Sequence, residues 1–98
     1  MHIASLTVEL RLGESRSLKE KRSVMRPIID GARRRFAVAA AEVGHQDAWR
    51  QSSVGFAAVS SSPSHAAEVL DSVERFVWSF PEIEVLSSHR SWMSDEDE

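Results

Sequence analysis

From His2 to Leu12 the chain alternates strictly. Ala4, Leu6, Val8, Leu10 and Leu12 fall on one side, and Ser5, Thr7, Glu9 and Arg11 on the other. A period of two predicts a strand in a sheet with one covered face. Gly13 and Glu14 break it, and the period then changes. Ser17-Leu18-Lys19-Glu20 has the form of a capping box, in which hydroxyl and carboxylate each satisfy a free backbone N–H at a helix start. Leu18, Met25, Ile28, Ile29, Ala32 and Phe36 then recur at helical spacing as a buried stripe. Pro27 removes the hydrogen bond to the Ser23 carbonyl, and Gly31 follows it, so a kinked or weakened middle is expected rather than two helices.

Phe36 to about Gln46 reads as an alanine-rich second strand, and Gly44 to Ser53 as a long polar hairpin connection. Ser53 to Ser60 reads as a third strand, with Val54, Phe56 and Ala58 toward the helices and Gly55, Ala57 and Val59 away from them. Ser62 as N-cap with Pro63 at the first helical position opens a second helix. Its stripe is Ala66, Val69, Leu70, Val73, Phe76, Val77 and Phe80, and Pro81 stops it. A last strand is predicted from about Ile83 to Trp92, its register uncertain at Val85 and Leu86. The order β-α-β-β-α-β is the split βαβ arrangement. It predicts an α+β, ferredoxin-like sandwich: a four-stranded antiparallel sheet with two helices on one face. Residues 1–93 form the single domain, and 94–98 an acidic tail expected to be disordered.

Composition narrows the function. A chain of 98 residues supports one core, and 42% hydrophobic with 28% charged residues is too apolar for a disordered protein. No apolar run is long enough to span a bilayer. The alternating N-terminus lacks the basic start and unbroken apolar stretch of a signal peptide, so a cytoplasmic protein without membrane contact is expected. The absence of cysteine excludes disulfides, iron–sulfur clusters and thiol chemistry. The net charge of −3 conceals a segregation. Between Arg16 and Arg35, eight Lys and Arg meet only Glu20 and Asp30, a net of +6; the remainder carries four basic against thirteen acidic residues, a net of −9.

Two motifs, Ser17-Leu18-Lys19-Glu20-Lys21-Arg22-Ser23-Val24 and Ala41-Glu42-Val43-Gly44-His45-Gln46-Asp47, together with Trp49 and Trp92, resemble the YlxP-like family of small bacterial proteins of unknown function. The resemblance covers nearly all of residues 1 to 92. It implies the ferredoxin-like fold and brings no established catalytic residues. Members are often encoded beside translation and ribosome-maturation factors, which implies a link to RNA or ribosomes. Pro27, Gly31, Trp78 and the acidic tail depart from the family pattern.

Four features bear on function. Lys19, Arg22, Arg26 and Arg33 share one face of the first helix, flanked by Arg16 and Arg34; such a cationic ridge attracts phosphate backbones. The bland alternative is a solvated face whose stems cover apolar surface, as Lys21 and Arg35 are expected to do by snorkelling. The uncovered sheet face, with Ser5, Thr7, Ala39, Ala41, Gly55, Ala57 and Val59, is small and weakly polar, which suggests homodimerisation through the sheet. It lacks the aromatic residues that RRM-type RNA binding stacks on bases. Glu42, His45, Asp47 and Trp49 form a candidate contact site for a small molecule or partner. The alternation places His45 opposite Glu42, so a metal site is not indicated, and a structural role is the competing reading: Asp47 and Gln46 satisfying turn backbone, Trp49 anchoring the hairpin. Finally, Ser60 to His65 pairs hydroxyls with a histidine, but helix capping accounts for the segment without a catalytic triad. Trp78 falls off the stripe of its helix and is a candidate partner contact. The expectation is a non-enzymatic accessory protein that needs no cofactor and binds RNA or the ribosome through the first helix. The alternative is a homodimeric module binding a small molecule or protein.

Overall fold

A computed structural model describes residues 1–95. β1 (His2–Leu12), α1 (Leu18–Phe36), β2 (Ala39–Gly44), β3 (Gln51–Ser60), α2 (Pro63–Trp78) and β4 (Ile83–Ser94) follow in that order. The strands form one antiparallel sheet in the order β2-β3-β1-β4. Both helices cover one face, which gives the ferredoxin-like sandwich. The alternation of β1 sets the core: Ala4, Leu6, Val8, Leu10 and Leu12 are all buried beneath the helices with Val54, Phe56, Ile28, Leu70, Val73 and Val77.

Local chemistry explains most boundaries. Ser17 Oγ accepts the Glu20 N–H at 3.1 Å, while the Glu20 carboxylate takes the Arg16 N–H at 2.7 Å. The capping box thus reaches one residue further back than the motif predicts. Ser62 Oγ accepts the His65 N–H at the start of α2, with Pro63 in the first turn. Helix α1 runs unbroken through Pro27, which lies on the exposed side. There the Ser23 carbonyl that Pro27 deprives of a donor can bond to water, so the helix survives the proline.

Gly31 is not a weak point of that helix. It is buried where α1 and α2 cross, and a Cβ there would lie 2.6 Å from Phe76 Cζ. The Phe76 ring is itself held edge-on against Phe36 and Phe80, with the Arg35 guanidinium 5.1 Å from its centre. Arg35 therefore stacks on rings rather than merely trailing its stem over apolar surface. Gly31→Ala should gain about 1 kcal/mol of helix propensity and lose more to overpacking, for a net destabilisation of about 1 kcal/mol in urea unfolding. A stabilised variant would show that the ring yields freely.

Several expected boundaries move. The second strand begins at Ala39, not Phe36, because α1 continues to Phe36 and ends on Ala37 in the left-handed region (φ 54°). β3 starts at Gln51 rather than Ser53, which shortens the connection to residues 45–50. β4 continues past Trp92 to Ser94, and the Asp95 N–H bonds the Met1 carbonyl at 2.9 Å. β4 thus ends one residue beyond 93, and the rest of the acidic tail, 96–98, lies outside the described residues. The ambiguity at Val85 and Leu86 is a β-bulge: Val85 pairs with Leu10 and Ser87 with Glu9, leaving Leu86 as the extra residue. Leu18, Ile29 and Phe36 from the predicted stripe are only partly buried.

Candidate nucleic-acid interface

Three of the elements carry a polarised surface. α1 packs toward the β2 side of the sheet, and α2 over β1 and β3. Arg16, Lys19, Arg22, Arg26 and Arg34 are exposed, and their side chains have no carboxylate partner among the described residues. Carboxylates around this ridge are already engaged, Glu20 as acceptor of the Arg16 backbone N–H. Asp30 pairs with Arg33 at 3.2 Å, and Glu42 with Lys21 at 2.7 Å. The cations also border two shallow grooves. One, of about 210 Å³, is lined by Arg22, Met25, Arg26, Ile29, Asp30 and Glu42. The other, about 470 Å³, is lined by Ser23, Arg26, Pro27, Asp30 and Arg34.

Arg33 leaves the ridge. Its Nε and one terminal nitrogen both donate to the Ala40 carbonyl, at 3.1 and 2.6 Å. β2 is an edge strand, and this clamp occupies one of its backbone acceptors, which blunts the edge against pairing with other chains. Spacing alone groups Arg33 with Arg26; its partner is a backbone carbonyl seven residues on, across the turn after α1.

Lys21 is the residue that sequence reasoning misplaced. Expected to snorkel, its side chain is instead 3% exposed, and its ammonium donates to the carbonyls of His45 (2.6 Å) and Ala48 (2.8 Å) while pairing with Glu42. Glu42 in turn accepts the hydroxyl of the buried Ser52 at 2.6 Å. This satisfies all three donors of the ammonium, as a buried lysine requires. It also replaces the expected Asp47 and Gln46 bonds as the agent that holds the turn. A further bond links the Ala48 N–H to the His45 carbonyl, and His45 itself adopts a positive φ of 60°. The sequence did hold a signal: Lys21 falls between Leu18 and Met25 at the spacing of the apolar stripe.

The four residues of the hairpin motif do not converge. The Glu42 side chain lies on the helix side with Lys21. The His45 ring reaches the open sheet face, its Nε2 3.9 Å from the Glu9 carboxylate, which also accepts the Ser53 hydroxyl. Among the described residues no cluster of His, Asp and Glu could hold a metal ion. Asp47 and Trp49 do share a site, a groove of about 720 Å³ lined also by Arg11, Leu12, Gly13, Ala48, Arg50 and Gln51. Trp49 does not anchor the hairpin: it is 53% exposed. Trp78 is exposed as well, as its position off the stripe predicted.

Residues 63–95, which include α2 and β4, carry six acidic residues against Arg75 and Arg90. Arg90 of β4 bonds Asp71 and Glu74 of α2, each at 2.8 Å, and Ser88 bonds Glu74. The hydrogen bond to Glu74, above all, raises the already high pKa of the guanidinium. The open sheet face carries Ser5, Thr7, Ala39, Ala41, Gly55 and Ala57 around a shallow depression. Next to these, Val59, Ile3 and Met93 are paired across three strands, and Val59 and Met93 are each 66% exposed. No described helix is long and apolar enough to cross a membrane.

Fold and surface together define a small ferredoxin-like domain with a cationic helix on one edge. The family described as protein of unknown function (DUF503) matches residues 3–90, and the chain belongs to that family. It is similar to the uncharacterized protein YlxP of Bacillus subtilis (strain 168): 43% identical over 76 residues, which cover 78% of this chain and 83% of the relative.

Proposed function

We propose that this domain is a non-enzymatic accessory protein that binds RNA, alone or within the ribosome, through α1. The observation that supports this reading is the unpaired state of Arg16, Lys19, Arg22, Arg26 and Arg34, with the neighbouring carboxylates Asp30 and Glu42 committed elsewhere. Exposed, unneutralised cations on a stiff helix release counterions when they meet a phosphate backbone, which favours association at low salt. The reading is tested by titrating the native protein into labelled RNA, and by sedimentation with ribosomes, over a range of salt. Binding that weakens linearly in log affinity against log salt supports it. No binding at the lowest salt rejects it.

A second reading concerns the opposite face and is compatible with the first. The exposed Val59 and Met93, flanking the half-buried Ile3 beside a flat field of small side chains, favour a homodimer formed sheet to sheet. Two ridges would then point outward from one particle. Sedimentation equilibrium should give a dimer for the native chain and a monomer for the doubly substituted Val59→Lys, Met93→Lys protein, with unchanged circular dichroism. A native monomer at high concentration removes this reading.

A further inference from the structure

A groove of about 720 Å³ surrounds Trp49, and neither the core nor the basic ridge accounts for it. A tryptophan at a loop tip usually covers apolar neighbours; this one is half exposed. Its loop is nevertheless pinned on both sides. Lys21 holds the carbonyls of His45 and Ala48 from beneath. Arg50 Nε donates to the Ser15 carbonyl at 3.0 Å, and the Leu12 N–H donates to the Arg50 carbonyl at 2.9 Å. The indole is therefore presented on fixed backbone, and the ordering cost of a contact is met before any ligand arrives.

The surroundings specify the chemistry. Ala48 and the indole itself give the groove its apolar surface, and Gly13 adds no side chain there. Arg50 spends only its Nε on Ser15, and its terminal nitrogens have no protein partner among the described residues. Arg11 holds Glu84 at 3.2 Å through one nitrogen in an exposed pair, which is weak in water. Asp47 supplies an acceptor that suits the amino or ring N–H of a base edge. An aromatic plane in one groove with two arginines and a carboxylate matches a nucleotide: base on the ring, phosphate on arginine. The bond from Arg50 to Ser15 also places this groove beside Arg16, at the N-terminal end of the α1 ridge.

We infer that Trp49 is a stacking platform for an unpaired base of a single-stranded RNA whose backbone continues from Arg50 and Arg16 along Lys19, Arg22 and Arg26. This rests on the RNA reading above and deepens it, because a ridge alone attracts duplex and single strand alike, whereas a platform requires bases free to leave a stack.

The test uses the full chain, a labelled single-stranded RNA of about ten nucleotides, and the same RNA annealed to its complement. Trp49→Ala should weaken single-strand binding about tenfold and leave the salt slope unchanged, since stacking releases no counterions. Duplex binding should not change, and Trp49→Phe should restore most of the loss. Circular dichroism guards against a folding defect at this exposed position. If Trp49→Ala binds the single strand as the native chain does while Arg22→Glu, Arg26→Glu abolishes binding, the platform is wrong and the ridge stands. If the variant weakens duplex and single strand equally, the platform is likewise rejected. If the native chain binds neither RNA at low salt, both readings fall together.

Discussion

Replacing Lys21 by Met is expected to destabilise the domain by about 3 kcal/mol, the low end of what breaking a buried ion pair costs. Methionine keeps the apolar stem but withdraws three donors at once. The carbonyls of His45 and Ala48 are left without their ammonium partner, and Glu42 retains only the Ser52 hydroxyl. Partial exposure of Glu42, 23%, lets water recover some of the loss. For a domain of this size the change corresponds to a fall in melting temperature on the order of 15 °C. Glu42→Gln removes only the charge and should cost about 1 kcal/mol. The double variant should lose less than the sum, since the two residues share one contact. A loss below about 1 kcal/mol for Lys21→Met would mean that the loop holds itself.

The second large effect concerns binding. Triple charge reversal, Arg22→Glu, Arg26→Glu and Arg34→Glu, should lower affinity for single-stranded RNA by more than about a hundredfold at low salt and reduce the salt slope by about 2. None of the three side chains makes an ion pair among the described residues, so the melting temperature should stay close to native. Arg75→Glu on α2, whose guanidinium bonds only Ser72, is the control expected to leave affinity within about twofold. Arg33→Glu would confound the comparison, because it also opens the clamp on Ala40. Equal binding by the triple variant and the native chain would remove α1 from the interface.

The fold was readable because its determinants are local and periodic. Alternation in β1 and β3, the Ser17 and Ser62 caps, and Pro63 each specify an element from within a few residues. The second strand was misjudged at its start because alanine-rich sequence after Phe36 carries no signal that separates the last helical turn from a strand, and Ala37 ends the helix in a conformation usually left to glycine. The site was legible only in outline. The ridge follows from helical spacing alone. Which cations remain free depends on partners far along the chain: Ala40 for Arg33, and His45, Ala48 and Glu42 for Lys21. Local pattern reading has no access to those contacts. Trp49 belongs to a motif legible in the sequence, but its exposure follows from how the loop is pinned, which only the tertiary structure displays.

α1 sits toward β2, while most carboxylates outside it among the described residues belong to residues 63–95, so the domain's charge is polarised between the α1 edge and the helix and strand that follow β3. In the field of a polyanion such an object experiences a torque as well as a pull. It would swing its basic end inward and its acidic end outward before touching anything. Encounter would thus begin already oriented, with a single edge of the protein admitted to the nucleic acid and the other repelled from it.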